Sequence, residues 1–318
     1  MRVFRGIPAR ALNPTALTPT ALTIGNFDGL HLGHQAMLAR LIAAAREQNL
    51  PAAVMTFEPH PREFFRPDNA PTRLTNLREK LELLSKAGVD HVYVCHFNRA
   101  FSQISADDFV THILHERLAI KWLLVGDDFQ FGAKRIGNSG ILADYAPKLG
   151  FTFSAMPSLE VNDKRVSSTL VREALAAGDL VSAQQYLGRP YSISGRVIHG
   201  EKIGRSIGFP TANVQLKHNR PPVKGIFAVK LYVSEGVSFA GVASLGTRPT
   251  VSSSGKWQLE VHVFDFADNL YGQHVRVEFL HKLRDEAFYP DMQTLIAQIA
   301  RDVENAKAYF ESLRLTLP

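Results

Sequence analysis

The sequence predicts an α/β fold in two parts: an N-terminal domain built on a parallel sheet, and a C-terminal antiparallel β-barrel covered by the last helix of the chain. Three observations carry this. From residue 21 to about 183, short and almost wholly apolar runs alternate with stretches of helical periodicity, as a parallel sheet buried on both faces requires. Beyond residue 187 the runs become short and β-branched, separated by Gly, Pro and Asn, which describes a small antiparallel barrel or sandwich. A length of 318 residues suits two domains. The boundary is placed so that the domains are residues 1–184 and 185–318.

Element by element, "ALTIGNF" reads as a strand and "GHQAMLARLIAAAREQ" as a helix. "AAVMTFEP" is the next strand, and "LTNLREKLELLSKAG" a helix that Gly88 stops. "HVYVCHF" is a strand, followed by a helix from about Ala106 to Leu118. "KWLLVGDDF" and "FTFSAM" are further strands, and "STLVREALAAG" is the closing helix. In the second half the strands are "YSISGRVIHG", "GIFAVKLYV", "SFAGVASLG", "WQLEVHVFDF" and "HVRVEFL". The last helix carries apolar residues at Met292, Leu295, Ile296, Ile299, Val303, Phe310 and Leu313, one stripe able to cover the barrel.

Composition narrows the function. A formal charge of +6 and a pI near 9.4 suit an anionic ligand, whether nucleotide, nucleic acid or acidic partner. No block or stripe of Lys and Arg stands out, so a small phosphorylated ligand suffices, and neither a nucleic-acid nor a membrane partner is expected. Cys95 is the only cysteine, which excludes an internal disulfide and a CxxC metal site. Pro8, Pro14 and Pro19 interrupt the first residues, where no apolar core of a signal peptide exists. No segment approaches the roughly 18 apolar residues of a membrane span. The expectation is a cytoplasmic protein, monomeric or weakly homo-oligomeric.

The stretch "TIGNFDGLHLGHQAML" leaves a strand and opens a helix with His31 and His34 three apart. Residues so spaced share a helix face, and the unpaired N–H groups of a helix start favour phosphate. Gly25, Gly29 and Gly33 let a ligand approach the backbone closely. In "RVSSTLVREAL", Ser168 or Thr169 fits an N-cap. Arg172 stands where a capping box would have Glu or Gln, and a first-turn arginine opposes the helix dipole unless an anion lies beside it.

"GNFDGLHLGH", "TFEPHPREFF", "GDDFQFG" and "SSTLVR" together resemble, in order and spacing, the nucleotidylyltransferase module of the bacterial bifunctional riboflavin kinase/FAD synthetases. The HxGH element alone is shared with many nucleotidylyltransferases and with class I aminoacyl-tRNA synthetases; the combination with "TFEPHPRE" is more specific. The resemblance implies a Rossmann-like domain and adenylyl transfer, in which the FMN phosphate attacks the α-phosphorus of ATP and pyrophosphate leaves. It implies His31, His34 and Arg172 as catalytic residues, with Ser168 and Thr169 as hydroxyl donors. Gly25, Asn26, Asp28 and Gly33 fall at the nucleotide, Asn26 and Asp28 at its Mg²⁺ end. Phe57, Pro59, Pro61 and Phe131 frame the flavin ring, with Asp128 nearby. The family often has a second arginine within "SSTRVR", where this chain has Leu170.

The second half opens on "GRVIHGEKIGRSIGFPTANVQL". Its glycines do not match a Walker loop: the spacing differs, Arg205 replaces the lysine, and strands follow instead of a helix. The Thr211 hydroxyl and the Asn213 side-chain carbonyl are hard oxygen ligands suited to Mg²⁺ carried by a nucleotide. On "WQLEVHVF", Leu259, Val261 and Val263 point one way and Glu260 and His262 the other. With "SLGTRPTV" and "LRDEAFYPDMQTL", these stretches resemble the riboflavin kinase module of the same family. That resemblance implies Glu260 as general base for the ribityl 5′-hydroxyl, with Thr211 and Asn213 on Mg²⁺–ATP. It places Lys202, Gly204 and Arg205 on a loop over the phosphates, and Arg284 near the flavin. The implied substrates and products are riboflavin, FMN, FAD and ATP, with Mg²⁺ in both steps. Two rivals are a nucleotidylyltransferase whose barrel is a non-catalytic binding module, for tRNA for example, and a flavoprotein that only binds FMN or FAD.

Overall fold

The computed structural model describes residues 1–8, 18–200, 203–217, 220–247 and 257–316, of which Ile203, Arg205 and Thr316 are described by backbone alone. Lys202 therefore lies outside the described residues, as does the Arg205 side chain. The chain divides into two compact units, Met1–Pro71 with Leu77–Ser167, and Thr72–Asn76 with Ser168–Pro318. The sequence places its boundary at 184/185, whereas contacts place helices Ser168–Ala177 and Leu180–Leu187 in the second unit. Among the described residues no helix is long and apolar enough to cross a membrane.

The first unit holds a sheet of six strands: β1 (Arg2–Arg5), β2 (Thr20–Ile24), β3 (Ala52–Glu58), β4 (His91–His96), β5 (Ile120–Gly126) and β6 (Thr152–Met156). Their order is β1-β4-β3-β2-β5-β6 and every pairing is parallel. Alternate residues feed opposite cores. Leu22, Ile24, Met55, Leu123 and Val125 pack on one face; Ala21, Val54, Val92, Trp122 and Leu124 pack on the other. With both faces apolar, period-two alternation disappears and the strands read as continuous hydrophobic runs. The edge strand β1 is not among the expected strands, because its two arginines and mostly exposed side chains hide any apolar run. Cys95 is buried in β4, and burial pushes its thiol up to about 12, leaving it inert at neutral pH.

The helix Leu32–Glu47 buries Leu38, Leu41 and Ala45, a 3/4 pattern that seats it on the sheet. Helix Leu77–Lys86 ends before Gly88, which takes φ +91°. One expectation is corrected in form. The segment Ala106–Leu118 is a short α-turn, Ala106–Asp108, running into a wider π-type helix, Phe109–Arg117. The widened turn seats Phe109, Val110, Ile113 and Leu114 together in the core, and apolar periodicity does not distinguish it from an α-helix. A small hairpin, β7 (Glu160–Val161) with β8 (Lys164–Arg165), follows β6.

From β2 the chain proceeds through β3 to β4 on one side, then crosses to β5 on the other. The switch point lies between β2 and β5, the crevice in which α/β sheets bind ligands at the carboxyl ends of the strands. The two loops that leave those ends carry "GNFDGLHLGH" and "GDDFQFG".

The second unit resolves the barrel-or-sandwich alternative. Strands β9 (Tyr191–Ile198), β10 (Ala212–Val214), β11 (Gly225–Ser234), β12 (Val237–Thr247), β13 (Trp257–Val263) and β14 (His274–Arg284) close into a barrel in the order β10-β13-β12-β11-β14-β9. All pairings are antiparallel. Ile193, Val197, Phe227, Val229, Leu245, Leu259, Val261, Val277 and Phe279 are buried. The strand β10 begins within "GFPTAN", too short and too close to Pro210 to read as a strand. The final helix, Met292–Thr316, packs on β11, β12 and β14 as expected. Its seam runs through Val303, Ala306, Tyr309 and Phe310, while Met292 and Leu313 at the two ends of the expected stripe are exposed.

Candidate active sites

At the switch point, His31 is the N-cap of helix Leu32–Glu47, and its Nδ1 accepts a hydrogen bond from the His34 backbone N–H at 3.4 Å. With Nδ1 an acceptor, a neutral His31 ring carries its proton on Nε2. The His31 and His34 rings stack at 3.7 Å and 19°, so the two imidazoles face one place, as the spacing predicts. Gly33 makes this stacking geometry accessible: a Cβ there would lie 3.2 Å from the His31 ring. The loop before the helix is held in unusual backbone conformations, with φ +48° at Phe27, +80° at Gly29 and +43° at Leu30. Buried Phe27 and Leu30 anchor it, and Asp28 is also buried.

Two polar atoms here are buried with no hydrogen-bond partner, Asn26 Oδ1 and His34 Nδ1. Orphaned buried polar atoms are costly, and a polar ligand would relieve them. Burial, then the His31 charge, then Lys80, hold His34 well below the usual imidazole range. It is therefore a neutral hydrogen-bonding ring at pH 7.

This depression has a consequence for stability. An unfolded His34 titrates near the reference value of about 6.5, so below that pH the unfolded chain takes up a proton that the folded chain refuses. Stability contributed by the neutral ring is full above that value and lost as pH falls beneath it. Thermal melts from about pH 7.5 to 5 should show Tm falling on acidification, less steeply in His34→Gln. Equal slopes would contradict this.

The aromatic residues expected at the flavin are built into one ring cluster. Phe57 meets Phe97 at 5.9 Å and Phe101 at 5.6 Å, and Phe131 meets Phe109 at 5.3 Å and Phe129 at 5.6 Å. Phe131 is almost fully buried and Phe57 partly so. Pro59 follows a cis peptide bond, and Pro61 is the first residue of helix Pro61–Phe65, which His60 and Glu63 cap reciprocally. Asp128 pairs with Arg165 of β8.

In the second unit, Ser168 is the first residue of helix Ser168–Ala177, not its cap. Because the helix begins one residue earlier than expected, Thr169 sits within its first turn and Arg172 just past it, where the dipole argument weakens. Arg172 Nε donates to Thr72 O at 2.6 Å.

The barrel presents a cavity of about 270 Å³ that brings Gly204, Thr211, Glu260 and Arg284 together. It lies on the barrel's outer face: Leu259 and Val261 point inward and are buried, while Glu260 and His262 line the cavity. Leu295, Ile299 and Asp302 of the final helix form its far wall. Asn213 is the register partner of Glu260 across β10 and β13, which puts both side chains on one face. A Cβ on Gly204 would lie 2.3 Å from Phe209 O, so only glycine lets this loop turn back on itself. Arg284 is committed: Nε and Nη2 bind the two oxygens of buried Asp302 at 2.8 and 2.6 Å, and Nη1 donates to Asp285 O. The Asp302 hydrogen bond, then its charge, raise the Arg284 pKa against the opposing effect of burial. Arg284 thus ties the helix to the barrel wall.

Sequence reasoning puts His262 on the Glu260 face without a role, and misses Tyr289 and Asp302 in this cavity and Thr56 and Lys80 behind the first site. For Lys80 a signal exists: it stands three residues after Leu77 and four before Leu84, in the helix's apolar stripe.

These arrangements fit one class of protein, a nucleotide-using transferase built in two units. A family profile described as FAD synthetase matches residues 13–170, and one described as riboflavin kinase matches residues 187–310. The bifunctional riboflavin kinase/FMN adenylyltransferase of Haemophilus influenzae is 51% identical over 92% of this chain and 94% of its own. That of Escherichia coli K12 is 45% identical over 98% of both. A solved structure described as a macrolide-efflux protein from Streptococcus pneumoniae superposes with a TM-score of 0.77 at 28% identity, over 94% of this chain and 97% of that one. The chain belongs to the bifunctional riboflavin kinase/FMN adenylyltransferase family.

Proposed function

We propose that the barrel unit transfers the γ-phosphoryl group of ATP to the 5′-hydroxyl of riboflavin, giving FMN and ADP. The nucleotidylyltransferase domain then joins FMN to the adenylyl group of a second ATP, giving FAD and pyrophosphate. The observation that carries the reading is the barrel cavity, which unites Gly204 and Thr211 of one stretch with Glu260 and Arg284 from two others. Glu260 takes the proton of the attacking hydroxyl, a neutral nucleophile that benefits from a base. Its place on the outer face puts the side chain in the cavity wall. The Gly204 loop lies at the phosphates, and Arg284, fixed by Asp302, shapes the flavin wall.

FMN already bears a phosphate that is mostly dianionic at pH 7, so adenylylation needs positioning more than proton transfer. His31 and His34 supply ring N–H groups to phosphoryl oxygens. Asn26 and Asp28 stand at the nucleotide; family resemblance assigns Ser168, Thr169 and Arg172 to phosphate, and Phe57, Pro59, Pro61, Phe131 and Asp128 to the flavin.

Among the described residues no cluster of three or more His, Cys, Asp or Glu could hold a metal by itself, which fits Mg²⁺ arriving on ATP. The Thr211 hydroxyl and Asn213 carbonyl are the oxygen donors such an ion prefers, and the ion would offset phosphate charge. The gap between the two matched profiles supports a functional division at 184/185. A cytoplasmic, monomeric or weakly homo-oligomeric protein without a nucleic-acid partner completes the reading.

Purified protein given riboflavin, ATP and Mg²⁺ should form FMN and then FAD, and excess EDTA should stop both. Conversion of supplied FMN to FAD without any phosphorylation of riboflavin would reduce the barrel to a binding module.

A further inference from the structure

We propose that Lys80 is a positioning residue for FMN adenylylation, holding the Asn26–Leu30 loop through the hydroxyl of Thr56. The inference rests on the reading of Asn26, His31 and His34 as the adenylylation site. Lys80 lies on helix Leu77–Lys86 and is 5% exposed, and Thr56 on β3 is fully buried. Lys80 Nζ is 3.4 Å from Thr56 Oγ1, which is itself 3.2 Å from Asn26 O.

The chemistry fixes the direction of this chain. An ammonium only donates, so the Thr56 oxygen accepts from Lys80 and its proton goes to the Asn26 carbonyl. The ammonium thereby polarises the hydroxyl that holds the backbone one residue before the left-handed turn at Phe27, Gly29 and Leu30. A loop in such conformations persists only where its surroundings over-determine it. Burying an ammonium is costly, and lysine is almost never fully buried unless it has partners. The same ammonium acts on His34. Burial first, and after it the neighbouring His31 and Lys80, favour its neutral, hydrogen-bonding form. Lys80 does not touch the reacting atoms in this account; it sets the loop and the ring that do.

The test uses the full chain, assaying both activities in one preparation. In Lys80→Met, kcat/KM for FMN adenylylation should fall on the order of 10²-fold, the size of loss that a small misplacement produces. Riboflavin phosphorylation should be unchanged, and Lys80→Arg, which keeps the charge, should lose less. The His34 ring, followed by NMR titration, should take up its proton at higher pH in Lys80→Met than in the wild type, while Lys80→Arg should leave it near the wild-type value. Thr56→Val removes only the connecting hydroxyl and should depress adenylylation, and the double variant should be no worse than the weaker single one. Wild-type adenylylation in Lys80→Met would overturn the proposal. If Lys80→Met fails to fold, wild-type adenylylation in Thr56→Val would do so instead. Additive losses in the double variant would also overturn it. Full FAD synthesis in a His31→Ala/His34→Ala chain would instead overturn the site reading on which the proposal stands.

Discussion

Glu260→Ala should abolish conversion of riboflavin to FMN while supplied FMN still becomes FAD. General-base assistance contributes roughly 10² to 10⁴-fold, and the loss should appear in kcat because the proton moves only as the phosphoryl group is attacked. The side chain projects from the outer face of β13 toward the cavity, and its removal leaves the buried neighbours Leu259 and Val261 in place. The barrel should therefore stay folded, and Glu260→Gln should be as inactive as the alanine variant with its shape preserved. Chromatography of flavins after incubation with ATP and Mg²⁺ reads both steps together. Loss of both would show that the two reactions are not independent.

The complementary variant, His31→Ala with His34→Ala, should let FMN accumulate and stop FAD formation. Each donor aimed at developing phosphoryl charge is worth about 10² to 10³-fold, and the stacked pair should act as a unit whose losses do not simply multiply. His31 also caps a helix through Nδ1, so the variant should lose about 1 kcal/mol of stability. Circular dichroism separates that cost from the chemical one. Undiminished FAD formation in a folded double variant would remove both rings from the mechanism.

Much of this molecule can be read from its residues. Parallel strands announce themselves because Leu22, Ile24, Ala21 and Val54 are needed on two faces. The alternation about Glu260 is visible because only one face of β13 is buried by apolar side chains. Other features are silent for physical reasons. Strand β1 owes its place to an edge that any extended segment could occupy. The π-type widening at Phe109–Arg117 changes which carbonyls are bonded, not which residues are apolar. The Arg284–Asp302 pair joins residues on different elements, and charge pairing at a distance leaves no periodic trace. That Arg284 spends its donors on Asp302 is something only the coordinates disclose.

The barrel carries its cavity on its exterior, while its interior is filled with residues such as Val197, Phe227 and Phe279. Natural variation can thus resculpt what the enzyme accepts, through residues such as Leu295 and Ile299, without disturbing the hydrophobic filling that keeps it folded. Divergence among relatives in flavin-analogue preference should accumulate on that outer wall, and stability should drift independently of it.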